Sequence, residues 1–301
     1  MQTKITKAVI PAAGFGTRML PATKAMPKEL LTVVDKPSIQ YVVEEAVAAG
    51  VTEVLIVTGR GKGSLEDHFD RAPELEQVLV SKGRREALEA VVAPAELATM
   101  HYVRQQQALG LGHAVLCAKA FVGQVPFFVL LPDDLIVGPE PGAAQLISAM
   151  QGPDESVIAV QEVPWEHTSR YGVVSIDSET GLIVGIVEKP QPEVAPSNLA
   201  VVGRYLLQPE VFDCLAQITP GAGGELQLTD ALALMLKQGH RLRPCRFKGV
   251  RYDTGSPLGF LEANIGMALA REDMRAQILV MLQSLTVHGL GEEGAVGSRQ
   301  E

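Results

Sequence analysis

Along the first half of the chain, short apolar runs alternate with longer stretches of helical period. Ala8–Ile10 is an unbroken apolar triplet ahead of Pro11, which predicts a buried strand. Ile39–Ala49 repeats its apolar residues at helical spacing and stops at Gly50, which predicts a helix with its end marked. Val54–Thr58 predicts a second strand, Gly112–Ala120 a helix, and Phe127–Leu131, held between Pro126 and Pro132, a third strand. Strands separated by helices cannot be joined by hairpins. They specify an α/β protein with a mostly parallel sheet covered by helices on both faces.

After about residue 155 the rhythm changes. Val157–Val160, Gly172–Ile176, Ile183–Glu188 and Leu199–Leu207 follow one another as strands, with turn residues such as Ser178-Glu179-Thr180-Gly181 between two of them. This half is expected to add partly antiparallel strands to the sheet. Helices return at Leu226–Lys237 and Leu258–Ala270, and a last one, at about Met274–Leu285, is expected to pack on a partner. From His288 to Glu301 four glycines stand among scattered charges with no apolar period, so a flexible tail is expected there.

With 301 residues, 47% hydrophobic and 20% charged, the chain can bury a full core. Its net charge of −9 argues against a general binder of nucleic acid or of an anionic membrane. The first forty residues run the other way. Lys4, Lys7, Arg18, Lys24, Lys28 and Lys36 face only Glu29 and Asp35, a local excess of +4. A basic start on an acidic protein suggests a small polyanion held there, although a solvated charged face explains the excess equally well. Cys117, Cys214 and Cys245 fit neither a zinc pattern nor a disulfide framework, which points to reduced thiols in the cytoplasm. Nothing near the start is long enough for a signal segment, and no run approaches a membrane span.

The first strand opens directly into Pro11-Ala12-Ala13-Gly14-Phe15-Gly16-Thr17-Arg18. Small residues there let a phosphate lie against backbone N–H groups. Two familiar phosphate motifs fail: the dinucleotide fingerprint meets Met19 where its third glycine belongs, and a P-loop ending in Gly61-Lys62 meets Ile56 and Gly63. The continuation strengthens the signal, because Arg18 and then Lys24 and Lys28 supply the cations that triphosphate chemistry needs.

From Ala12 to Glu45, including Lys28-Glu29-Leu30 and Lys36-Pro37-Ser38-Ile39-Gln40-Tyr41-Val42, the sequence resembles the N-terminal signature of the bacterial UTP–glucose-1-phosphate uridylyltransferases. The likeness continues through Arg104-Gln105, Gly110-Leu111-Gly112-His113-Ala114, Leu131-Pro132-Asp133, Tyr171-Gly172-Val173-Val174 and Val187-Glu188-Lys189-Pro190. It then runs through Ala195–Ala200, Gly203-Arg204-Tyr205, Gly221–Ala231 and Tyr252-Asp253-Thr254-Gly255. It covers about Lys4 to Asp273.

The resemblance implies a Rossmann-like nucleotide-diphospho-sugar transferase fold, a single domain over 1–287. Its nucleotide part lies at about 1–135, its sugar part at about 155–255 and its C-terminal helices at about 256–287. It implies that UTP and glucose 1-phosphate become UDP-glucose and pyrophosphate with Mg²⁺ as cofactor, and that the chains associate as a homodimer or homotetramer. Asp133 follows an apolar strand, where open α/β sheets bind ligands, and a carboxylate suits Mg²⁺. Asp253 shares the ion by resemblance, and Asp134 is the neighbouring alternative to Asp133. Arg18, Lys28 and Lys189 are the expected catalytic cations. The backbone at Ala12, Ala13, Gly14 and Gly16 is expected to take the triphosphate, and Gln105 and Gly110 the base. The sugar falls to Gly172, Glu188 and Asp230. His113 is expected to be structural. Two positions depart from the family: Thr32 stands where proline is common, and Ser256-Pro257 where Asn/Asp-Lys is frequent, which removes a cation from the pocket rim. The rival readings are a pyrophosphorylase using dTTP and a non-catalytic nucleotide-sugar sensor. The sensor should lack a metal carboxylate or a phosphate-side cation, and all of these are present.

Overall fold

In chain order the strands are β1 (Lys7–Ala12), the two-residue β2 (Thr32–Val33) and β3 (Lys36–Pro37), β4 (Glu53–Thr58), β5 (Thr99–Arg104), β6 (Phe127–Leu130) and β7 (Asp134–Val137). Then follow β8 (Ser156–Glu162), β9 (Gly172–Ile176), β10 (Ile183–Glu188), β11 (Leu199–Leu207), β12 (Leu242–Arg246) and β13 (Val250–Asp253). The computed structural model describes residues 4–221 and 224–287. The expected tail at 288–301 lies outside the described residues, as do Ala222 and Gly223 of the Gly221–Ala231 segment.

Nine strands form one mixed sheet, ordered β10-β9-β11-β6-β1-β4-β5, with β8 and β12 branching from β11. The pairs β1/β4, β1/β6 and β4/β5 are parallel, as the alternating first half requires, and β12 adds a parallel strand to β8. The second half contributes the antiparallel pairs β9/β10, β6/β11 and β8/β11. Because β8 pairs with β11 at both Ala200 and Leu206, it occupies one whole edge of that strand. The other edge is divided: β9 meets it at Ala200, and β6 meets it from Arg204 to Leu207. The division falls at Gly203, whose N–H donates to Asp134 at 2.7 Å and whose carbonyl accepts from the Leu131 N–H at 2.9 Å. A crevice opens where β6 and β9 part, at the carboxyl end of β6 and beside β1. Open α/β sheets bind ligands at such places.

Alternate residues of each inner strand feed two cores, one on each face. Val9, Phe127, Val129, Ile158 and Val160 pack under helices Leu111–Leu116, Val211–Leu215 and Leu228–Lys237. Ala8, Ile10, Phe128, Leu130 and Val157 pack under helices Ser38–Ala48 and Gly142–Ala149. Burying both faces is why these strands read as continuous apolar runs.

All five expected helices shift at one end or both, and in two of them a hydrogen bond shows why. Gly112–Ala120 is divided into Leu111–Leu116 and Lys119–Val122, because Ala118 N–H bonds to Val115 three residues back and tightens the chain into a turn. The helix expected from Leu226 begins at Leu228 instead. Leu226 is tied across to another segment, its N–H to Leu109 O at 2.7 Å and its carbonyl to Gly112 N at 2.8 Å. No helix among the described residues is long and apolar enough to cross a membrane.

Candidate active site

A cavity of about 810 Å³ occupies the crevice. Its walls bring together the glycine loop (Ala13, Gly14, Phe15, Thr17, Arg18), Lys28, Gln105, Gly110, the turn Leu131–Asp133, Gly172, Glu188 and Lys189. Most of the residues expected in one site, though far apart in the chain, therefore share one cavity; Ala12, Gly16, Asp230 and Asp253 are not among its walls.

The loop leaves β1 and folds through three short 3₁₀ turns, Thr17–Met19, Ala22–Lys24 and Lys28–Leu30. Gly16 sits at φ 67°, in the left-handed region, and a Cβ there would lie 3.1 Å from Cβ of Lys28. Glycine at that position lets the loop lie directly on the Lys28 turn. Lys28 Nζ then reaches Asp133 Oδ2 at 2.5 Å, and Arg18 Nη2 stands 3.8 Å from the same oxygen. Burial pushes the Asp133 carboxyl up, but Lys28 and Arg18 outweigh it and hold the group below the usual carboxylate range. Burial likewise opposes charge on Lys28, and Asp133 reverses that, raising the ammonium above its ordinary value.

The two carboxylates expected at the metal converge on Gly255. A Cβ built there would lie 3.0 Å from Asp133 Oδ2, 3.0 Å from Asp253 Oδ1 and 2.6 Å from Arg18 Nη2. Glycine there leaves the three groups room to approach one another. The convergence is held by main-chain bonds, since Thr254 N–H and Oγ1 both donate to Asp133 O, at 2.8 and 3.0 Å. Asp134 points elsewhere. It is buried, pairs with Arg251 at 2.5 Å and accepts from Gly203 N–H, so its lone pairs are occupied by protein donors. Of the two neighbouring aspartates, Asp133 faces the cavity.

Gln105 is buried in the cavity wall, its amide nitrogen 3.1 Å from Gly110 O and 2.9 Å from His113 Nδ1. With the amide N–H groups engaged, the carbonyl oxygen is the group left to receive an N–H from a ligand. His113, expected to be structural, orients Gln105. Gly110, at φ 97°, is small for contact within the protein: a Cβ would meet Cβ of Glu225 at 2.7 Å.

On the opposite wall Gly172 leaves room before Glu188, whose Oε2 would lie 3.3 Å from a Cβ at that position. Thr229 Oγ1 donates to Glu188 Oε2 at 2.7 Å, and Lys189 Nζ stands 3.2 Å from Glu188 Oε1. Lys189 adopts φ 47°, a left-handed conformation that costs a side-chain-bearing residue energy, and its N–H is fixed to Tyr171 O at 2.9 Å. The strained backbone sends the side chain into the cavity. Asp230 is placed differently: it lies beside Gly221, does not line the cavity, and burial pushes its carboxyl up. Ala12 sits below the loop rather than on the wall, its carbonyl held by Lys62 Nζ at 2.5 Å. Arg170, Tyr171 and Thr229 line the cavity without having been singled out beforehand. Tyr171 and Thr229 lie inside the segments that carry the resemblance, which is the one signal that pointed to them.

A loop of small residues, two converging carboxylates, three cations and a polar far wall are the parts that transfer of a nucleotidyl group requires. The family model for nucleotidyl transferases matches residues 7–268, and the chain belongs to that family. It is 48% identical over 285 residues to the UTP–glucose-1-phosphate uridylyltransferase of Bacillus subtilis, covering 94% of this chain and 97% of that protein. Among solved structures it is similar to the UTP-bound UGPase from Acinetobacter baumannii, with a TM-score of 0.85 and 41% identity over 93% of this chain and 99% of that one. A UDP-glucose pyrophosphorylase complexed with UDP-glucose aligns with a TM-score of 0.78 and 45% identity, over 89% of this chain and 100% of the other.

Proposed function

We infer that this protein is a UTP–glucose-1-phosphate uridylyltransferase, making UDP-glucose and pyrophosphate from UTP and glucose 1-phosphate. The observation that carries the reading is that Arg18, Lys28 and Asp133 line one side of a cavity whose other side holds Glu188 and Lys189, with Asp253 meeting Asp133 and Arg18 at Gly255. The sugar-phosphate oxygen attacks the α-phosphorus in line, a reaction that depends on positioning and charge rather than on a covalent intermediate.

Each wall has its task. The backbone of Ala13–Gly16 and the side chains of Arg18 and Lys28 hold the triphosphate, and Ala12 anchors that loop from below. Gln105 receives the uracil N3–H, which its free carbonyl supports. Glu188 accepts from glucose hydroxyls, Lys189 holds the sugar phosphate, and Asp230 supports this wall from behind. Asp133 and Asp253 fit Mg²⁺: both are hard oxygen donors, and two carboxylates leave coordination positions for substrate phosphates. When bound, the ion would neutralise charge developing on the phosphate oxygens. No group of three or more His, Cys, Asp or Glu residues among the described residues could hold a metal by itself, which suits an ion that arrives with its nucleotide.

The free thiols Cys117, Cys214 and Cys245 support a cytoplasmic setting, and the exposed Leu279, Val280, Met281 and Leu285 of the last helix support assembly as a homodimer or homotetramer. The test is pyrophosphate release from UTP and glucose 1-phosphate with Mg²⁺, and its reversal from UDP-glucose and pyrophosphate. Strong activity with a purine triphosphate beside inactivity with UTP would sink the assignment.

A further inference from the structure

Lys62 belongs to no motif of the site, yet it is one of the most deeply placed lysines among the described residues, only 9% exposed. Its ammonium has three N–H groups and finds three acceptors: Ala12 O at 2.5 Å, and Glu29 Oε1 and Oε2, each at 2.9 Å. Glu29 is 1% exposed. These acceptors are not arbitrary parts of the protein. Ala12 is the last residue of β1, from which the glycine loop departs, and Glu29 adjoins Lys28 in the turn that brings that lysine to Asp133. Lys62 itself follows β4, the parallel neighbour of β1. There Gly59 packs so closely on the loop that a Cβ would lie 3.0 Å from Ala13 O.

We propose that Lys62 is a positioning residue for the nucleotide: its ammonium ties the root of the phosphate loop to the Lys28 turn and so fixes the gap between them. The inference rests on the assignment of this wall to UTP. The loop N–H groups and the Lys28 ammonium must grip one triphosphate together, so their separation decides how well either works. With every donor occupied, Lys62 cannot itself take a phosphate. It acts through Ala12 and Glu29. An ordinary buried ion pair would need only Glu29; the bond to the Ala12 carbonyl is what makes this one a clamp.

Removing Lys62 alone leaves a buried, unpaired Glu29, which would confuse loss of fold with loss of function. The test therefore uses Glu29→Gln, the double variant Lys62→Met with Glu29→Gln, and Lys62→Arg. The double variant should melt close to Glu29→Gln, while its KM for UTP rises about tenfold or more and its KM for glucose 1-phosphate stays within about twofold. Amide exchange over Ala13–Arg18 should quicken in the same variant, because the loop has lost its anchor. Lys62→Arg retains a charge opposite Glu29, but its planar fork cannot reach both carboxylate oxygens and Ala12 O as an ammonium does. It should show the same UTP-selective loss.

If the double variant recovers both its melting temperature and its UTP kinetics, or loses equally toward the two substrates, the clamp is overturned. If the double variant does not fold, Lys62→Arg decides: wild-type kinetics in that variant overturn the proposal, and a UTP-selective loss supports it. A wild-type enzyme that makes no UDP-glucose would defeat the substrate assignment instead, and exchange over Ala13–Arg18 would still judge the clamp.

Discussion

Both walls of the cavity carry a lysine against a carboxylate, and the two pairs are built differently. Lys28 and Asp133 lie 105 residues apart in sequence and meet at 2.5 Å, with about four-fifths of each side chain shielded from water. Glu188 and Lys189 are neighbours at the end of one strand, 3.2 Å apart, and the lysine side chain is 52% exposed. The first pair joins two elements of the fold and is set before any substrate arrives. The second hangs from a single strand end, and the ammonium is half in water. Preorganised charge contributes most where charge develops in the reaction, and a hydrated lysine can follow the position of a bound sugar phosphate. The difference teaches that the phosphate wall couples fold to chemistry, while the sugar wall keeps them separate.

The comparison breaks most sharply at the carboxylates. Asp133→Asn and Asp253→Asn keep shape and remove a charge from the proposed metal site, so kcat should fall about a thousandfold in each. Asp133→Asn also strips Lys28 of its partner and should move the melting curve; Asp253→Asn should leave it nearly in place. Turnover across a Mg²⁺ titration, with melting curves beside it, checks both. Near-wild-type turnover at ordinary Mg²⁺ removes that residue from the ligand set.

The second half does possess a buried ionic cluster, but it stands outside the cavity wall. Glu155 is fully buried and binds Arg243 at 2.7 and 2.9 Å and Arg241 at 2.8 Å, joining the start of β8 to β12. Its hydrogen bonds to Arg243 pull the carboxyl down to about 2. The folded value is below the unfolded one, so the contribution is complete above about pH 4.5 and is lost as the pH falls toward 2. It amounts to about 3 kcal/mol at neutral pH. Glu155→Gln should remove roughly that much stability at neutral pH, flatten the acid limb of the melting profile, and leave kcat/KM of the folded enzyme unchanged. A loss of activity in step with stability would show that this half is coupled after all.

Lys189→Ala should cost about a hundredfold in kcat/KM for every sugar phosphate, because it removes the cation proposed to hold the attacking phosphate. The melting temperature should hold, since an exposed pair contributes little to stability. A fall of less than about threefold would return the pair to the ordinary surface ion pair that its sequence alone suggests.

The same contrast separates what was legible in the sequence from what was not. Gly172–Ile176, Ile183–Glu188 and Leu199–Leu207 have the bounds their patterns predict, because each is delimited by turns and runs strand to strand. Helices Pro73–Ser81 and Arg85–Val92 bury no residue fully, so no core-facing stripe announces them. Leu242–Arg246 carries two arginines and Pro244, which masks a strand, and the masking residue Arg243 is the one that pairs with Glu155. In the site, Arg18, Lys28, Asp133, Glu188 and Lys189 stood out through the family likeness and line the cavity together. Lys62 was visible only as the end of a failed P-loop, and Thr229 only as part of a matching segment. The contacts that give them roles cross 50 and 41 residues, and no local pattern records such a distance.

The smallest expected effect is also the finest test of the sugar wall. Thr229 Oγ1 donates to Glu188 Oε2 at 2.7 Å, and Gly172 would crowd both groups if it carried a side chain. Glu188 is thus aimed by a hydroxyl rather than by a second buried charge. Thr229→Val keeps the volume and removes the donor, so the carboxylate stays present but less well aimed. The loss of one such bond is worth about 1 kcal/mol, or roughly fivefold. It should appear as weaker preference for glucose 1-phosphate over its deoxy analogues, with KM for UTP unchanged. Glu188→Gln should reduce the same preference further, because it weakens the charge-assisted bonds themselves. Combined, the two changes should cost little more than Glu188→Gln alone, since Thr229 acts through Glu188. Fully additive losses would mean that Thr229 meets the sugar on its own account, and a change in KM for UTP would mean that the two walls are not separate.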